Sequence, residues 1–112
     1  MRMIAVKNGA ISQELFDAYL ESLVGKFFKI MPMNEKNDDT LKVYLESFKV
    51  DLLGKKSLII ALNNNAYFLD LISSVQYLID NDVDVNTCNR EVKKCIGIVK
   101  KLRAKLIQGG GE

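Results

Sequence analysis

Two cysteines, four tyrosines, fourteen carboxylates and no histidine bound the chemistry open to this chain. Without an imidazole, neither a Ser-His-Asp nor a Cys-His constellation can be assembled, and the usual general base is missing. The common zinc sites lose a ligand type as well. Cys88 and Cys95 lie seven positions apart on one helical pattern. That separates their Cα atoms by about 10.5 Å, beyond the reach of a disulfide. Both fall on the apolar face, where free cysteine behaves as a small hydrophobe.

The carboxylates offer two clusters. Asp80, Asp82 and Asp84 alternate along the chain like the start of a calcium loop. Such a loop needs Gly at its sixth position and Glu at its twelfth. Counting from Asp80, these positions hold Val85 and Glu91, so the turning glycine is missing. Glu35, Asp38 and Asp39, with Lys36 among them, read as a solvated loop. Paired carboxylates do acid–base work only where a pocket shifts one of them. Gly9, Gly25, Gly54 and Gly97 are isolated, so no glycine-rich phosphate loop exists. No catalytic residue, cofactor site or metal site is expected, and the chain reads as non-enzymatic.

The elements that must position any surface follow from apolar spacing. At 112 residues, with 48% hydrophobic and 27% charged residues, the chain fits a single domain able to bury one core. No apolar run reaches the length of a membrane span, and the N-terminus has no apolar h-region. Cytoplasmic residence and no membrane partner are the expectations. Met3 to Val6 could be extended and Asn8-Gly9 signals a turn, so residues 1–10 read as an N-terminal arm, ordered or floppy.

Ser12 suits the N-cap of a first helix. Leu15, Phe16, Tyr19, Leu20, Leu23, Val24, Phe27, Phe28, Ile30 and Met31 then recur at helical spacing. They cover roughly 220° of the wheel, more than the stripe of about 100° that an outer helix needs. This helix is therefore either central or shared with a partner, and Pro32 is expected to end it. Asp39 would cap a second helix with an inward stripe of Leu41, Tyr44, Leu45, Phe48 and Leu52, closed at Gly54. A short helix from Leu58 to Leu62 follows, capped by Ser57, and Asn63 to Asn65 break it.

A further helix, Ala66 to Asn81, presents Tyr67, Phe68, Leu71, Ile72, Val75, Leu78 and Ile79 on one side. In the connector after it, Val83 and Val85 should tuck inward. Asn86 or Thr87 would cap the last helix, whose Cys88, Val92, Cys95, Val99, Leu102 and Leu106 alternate by four and three. Residues 108–112 form a Gly-rich flexible tail. The fold class expected is all-α, a compact bundle of four main helices plus one short one.

Two surfaces then compete. The surplus on the first helix, with the back-face valines of the second, gives a protein partner or a second copy a place to dock: Phe16, Tyr19, Leu20, Phe27, Phe28, Val43 and Val50. Ile98 also falls off the main stripes. Alternatively, Arg90, Lys93, Lys94, Lys100, Lys101 and Lys105 line the polar side of the last helix and could follow a phosphate backbone. In a helix-turn-helix version, Asn86, Thr87, Asn89, Arg90, Lys93 and Lys94 would face the groove. The connector lacks a turn glycine, however, and Asp80, Asp82 and Asp84 would meet phosphates unfavourably. A lysine face is also an ordinary means of solubility, and the net charge of +2 does not mark a general nucleic-acid binder.

The strings Val24-Gly25-Lys26-Phe27-Phe28-Lys29-Ile30-Met31-Pro32-Met33, Thr40-Leu41-Lys42-Val43-Tyr44-Leu45-Glu46-Ser47 and Arg90-Glu91-Val92-Lys93-Lys94-Cys95-Ile96 resemble small uncharacterised proteins of phages and mobile elements in Gram-positive bacteria. The resemblance covers most of the chain and brings no activity and no site residues. It implies a small accessory or regulatory role through contact with another macromolecule, as in counter-defence proteins, assembly factors or plasmid regulators. The function expected is a non-enzymatic protein–protein interaction module, homodimeric in one version, with a nucleic-acid-binding regulator as the alternative.

Overall fold

Ser12 accepts a hydrogen bond from the Leu15 amide at 3.0 Å and opens the first helix, as its residue type predicts. The computed structural model of the chain describes residues 2–108, with side chains through Leu106. Helix α1 spans Gln13–Glu35, α2 Leu41–Leu58, α3 Ala66–Asp80 and α4 Val85–Arg103. A 3₁₀ turn, Ile60–Leu62, follows α2, and a π turn, Ala104–Gln108, follows α4. The fold is all-α apart from one small hairpin of strands β1 (Met3–Val6) and β2 (Gly9–Ser12). Of the tail expected from residue 108, residues 109–112 lie outside the described residues.

Helix α1 is the central element. Its buried residues, Phe16, Leu20, Leu23, Phe27 and Ile30, step by four and three. On α4, Cys88, Val92, Cys95, Val99 and Leu102 do the same. The two helices make the most extensive contact in the fold and run antiparallel. Arg103 at the end of α4 reaches Asp17 and Glu21 near the start of α1. At the other end Asn34 donates to the Val83 carbonyl. Helix α3 packs on α4 and on α2, contributing Phe68, Leu71, Val75 and Leu78. Helix α2 closes the bundle with Leu45, Phe48 and Leu52. Phe48 meets Phe27 edge-on, with ring centroids 4.8 Å apart. All these side chains belong to one core.

Several boundaries depart from the sequence expectation. Pro32 does not stop α1. It sits on the outward face of the last turns, where the Phe28 carbonyl that loses its donor can take water instead. The chain leaves the helix through Asn37, which adopts φ 53°. Asp38 N–H donates to the Met33 carbonyl and Asn37 N–H to the Asn34 carbonyl, the two bonds of a Schellman closure. Asp38, not Asp39, organises the next turn, accepting from both the amide and the hydroxyl of Thr40. Gly54 is not a C-cap: α2 runs through it to Leu58, so the short helix expected there shrinks to the 3₁₀ turn. Asp84, rather than Asn86 or Thr87, caps α4, and Val85 is exposed rather than tucked in.

Within the described residues the N-terminal arm is ordered. A two-residue turn joins β1 to β2, with Gly9 at φ 152°, a backbone state that L side chains rarely adopt. The hairpin is clasped from the side. Lys7 N–H donates to the Leu58 carbonyl at 2.8 Å, and Val6 bridges Ile59. Ile59 is buried.

Substitutions separate core from surface. Leu20→Ala should cost about 2–5 kcal/mol in urea denaturation. Gly25→Ala, in mid-helix with nothing within 4 Å of the added methyl, should add about 0.5–1 kcal/mol.

Candidate functional site

The first candidate surface divides when placed on the fold. Phe16, Leu20 and Phe27 have no exposed area. They are core, not a docking face, because α1 spends its wide apolar arc on α4 to one side and α2 to the other. Tyr19 is half-buried against α2, its hydroxyl directed at Asp51. Asp51 also receives Lys26 at 3.5 Å and Lys55 at 3.2 Å. Burial, with the Asp51 charge, pushes the Tyr19 phenol well above its ordinary range. Ile98 is partly buried against the core. Only Phe28, Val43 and Val50 remain open, exposed by 49, 66 and 69%. Phe28 shares its flank of α1 with Asp17 and Glu21, toward α4, so it does not join the two valines on α2.

On α2 the valines belong to a longer row. Val43, Ser47, Val50, Gly54 and Ser57 are all exposed and fall within about 80° of the helical wheel. They step by four and three along the helix. Leu53 stands beside the row, 42% exposed. Glu46 is the charged residue nearest its centre, while Lys42, Lys49 and Lys56 hold the flank. Lys49 is tied to Gln76 of α3. The residues around the valines are legible in principle as a second four–three seam on the back of α2. Serine and glycine mask it, because they carry little hydropathy.

The second candidate surface holds together. Arg90, Lys93, Lys94, Lys100, Lys101 and Lys105 are all exposed on the outer side of α4 and the turn that follows it. Lys94 pairs with Glu91 at 3.0 Å. Arg103 is not part of this face. It turns to α1, gripping Asp17 with two nitrogens at 2.7 and 3.1 Å and Glu21 at 2.9 Å. The groove-entering arrangement of a helix-turn-helix gains little, because the Asp84 carboxylate occupies the N-terminus of α4, 2.7 Å from the Thr87 amide. Asn89 faces inward instead, its Oδ1 buried with no partner among the described residues. It lines a shallow cleft of 310 Å³ with Met31, Pro32 and Glu35.

A larger cleft of 520 Å³ opens at the end of the bundle where the α1–α2 and α3–α4 connections meet. Its floor is apolar, including Ile30, Leu78 and Cys88, and Asp38, Asp39 and Asp82 stand on its rim. Asp38 is held below the ordinary carboxylate range by hydrogen bonds from Thr40. Burial raises the Cys88 thiol and pushes Cys95 up to about 11. Both thiols are therefore protonated at neutral pH and poor nucleophiles. Among the described residues no group of three or more metal-ligating side chains converges, and no helix is long and apolar enough to cross a membrane.

Two measurements follow. Native protein at neutral pH should react with a colourimetric disulfide reagent only as fast as it unfolds, since Cys88 and Cys95 are both covered; a rapid native-state burst would contradict this. Hydrogen bonds from Thr87 lower the Asp84 pKa, so its stabilising contribution is complete above the unfolded value of about 3.9. That contribution disappears as pH falls through the folded value. Asp84→Ala should lower the thermal midpoint at pH 7, and the gap to the parent protein should close in strong acid. No protein-family model, curated protein or solved structure matches the chain.

Proposed function

We propose that the protein is a non-enzymatic interaction module, a small accessory or regulatory protein that acts by contact, and that it forms a homodimer through the outward face of α2. The observation that supports this most is the row Val43, Ser47, Val50, Gly54 and Ser57, open along the length of the helix with Leu53 beside it. Apolar and small residues at four–three spacing allow two helices to approach closely and interlock. A two-fold axis through such a row makes each copy the other's complement. In an antiparallel pairing the acidic Glu46 of one copy comes near the lysine flank of the other, which favours a second copy over an unrelated apolar helix. The likeness to small phage and mobile-element proteins is in keeping with an accessory role.

A nucleic-acid-binding regulator is the second reading, and the charge distribution favours it. Seven of the sixteen basic residues but only one of the fourteen acidic ones lie within Val85–Gln108. The small net charge therefore conceals a basic helix on an acidic body, the kind of asymmetry that attracts phosphates.

Light scattering across a concentration series tests the dimer. The parent protein should move toward twice the monomer mass, and Val50→Glu should hold it at monomer mass with unchanged helicity. A strict monomer at high concentration would rule the homodimer out.

A further inference from the structure

Helix α4 carries a glycine that its own packing does not require. Gly97 sits in mid-helix, where glycine costs about 1 kcal/mol relative to alanine. Its backbone is ordinary helix, and a methyl placed there would meet nothing within 4 Å. Gly25 and Gly54 are equally unconstrained, but the surroundings of Gly97 differ. The residues three and four positions before it are Lys94 and Lys93, and those three and four positions after it are Lys100 and Lys101. These are the positions that neighbour a helical residue on the surface, about 5–6 Å away between Cβ atoms. All four lysines are exposed. Gly97 is thus the bare centre of a four-cornered lysine frame, extended by Arg90 at one end and Lys105 at the other.

Such a frame is unfavourable in isolation. Like charges crowd one face, and the ion pair that relieves it among the described residues, Lys94 with Glu91, is an exposed and weak one. A bound anion reverses the sign of that crowding, and the missing side chain lets it come closer to the helix surface. The two lysine pairs are centred seven residues apart, about 10.5 Å along the axis. Flexible lysine stems at that separation can reach more than one phosphate of a backbone that carries a charge at every nucleotide. Lysine, a compact point charge on a flexible stem, suits contacts that position without reading bases.

We infer that the lysine frame around Gly97 is a seat for the phosphate backbone of duplex nucleic acid, bound without sequence preference. The inference rests on the second reading above and leaves the α2 contact independent. It also moves the contact from the N-terminus of α4, where Asp84 sits, to the middle of the helix.

Fluorescence anisotropy with a labelled 20-base-pair duplex, titrated between 50 and 200 mM salt, tests it. Four phosphate contacts should give a slope of log affinity against log salt near about −3.6. The pair Lys94→Glu and Lys100→Glu should weaken binding at least tenfold and flatten the slope by about half. Gly97→Glu, which fills the centre with a negative charge, should also weaken it at least tenfold. Gly97→Ala should bind within about threefold of the parent and melt at a higher temperature. Circular dichroism on each variant verifies that the helices persist. Parent protein that shows no salt-dependent binding overturns the nucleic-acid reading and the frame together. Binding that survives both Gly97→Glu and the lysine reversals overturns the frame while the broader reading stands. Equal or tighter binding to polyglutamate overturns nucleic acid as the partner and identifies the frame with an acidic protein segment.

Discussion

The antiparallel seam of α1 and α4 is the constraint on which the rest of the fold depends. Each helix offers a row of buried residues at alternating steps of four and three, and antiparallel alignment lets the two rows interlock. Arg103 fixes the register from one end with a two-pronged grip on Asp17. That planar fork is stiffer than a lysine would be. Asn34 holds the other end through the Val83 carbonyl. On this pair α3 and α2 bring their own stripes onto the common core.

The seam also decides what is left outside. Because α4 covers one flank of α1 and α2 the other, large aromatic residues that read as surplus in the sequence are consumed internally. The open apolar row passes to α2, which contacts α1 only narrowly and α3 on its other side. The basic face of α4 points away from the core for the same reason: Cys88, Val92, Cys95, Val99 and Leu102 face inward, so the opposite residues must face water. Neither surface is an accident of loops. Both are the reverse sides of well-packed helices.

Much of this is legible in the residues. The helix count, the inward stripes of α2, α3 and α4, the Ser12 cap and the burial of both cysteines all follow from periodicity and residue chemistry. The failures are instructive because each is tertiary. Pro32 reads as a stop, yet it is accommodated on a solvent-facing turn whose end is secured by Asn37 and Asp38. Gly54 reads as a terminus but lies within an outer helix face. The hairpin reads ambiguously because four-residue strands have no stability of their own; Leu58 and Ile59, more than forty residues away, supply the missing edge. The apolar arc of α1 shows that a wheel counts how much surface must be covered, not by what. The basic face is legible as a set of residues, while its frame around Gly97 emerges only once those residues are placed as neighbours on one helix.

The clasp between the hairpin and the end of α2 has a kinetic side. Helices form from contacts a few residues apart, whereas β1 must wait for Leu58 and Ile59 before its outer edge is satisfied. The pairing of β1 with β2 is local, but the outer edge of β1 stays open until the end of α2 is in place, a contact that spans more than forty residues. The seam of α1 and α4 joins residues farther apart still, as Asp17 and Arg103 are, so loop closure favours the clasp before the seam.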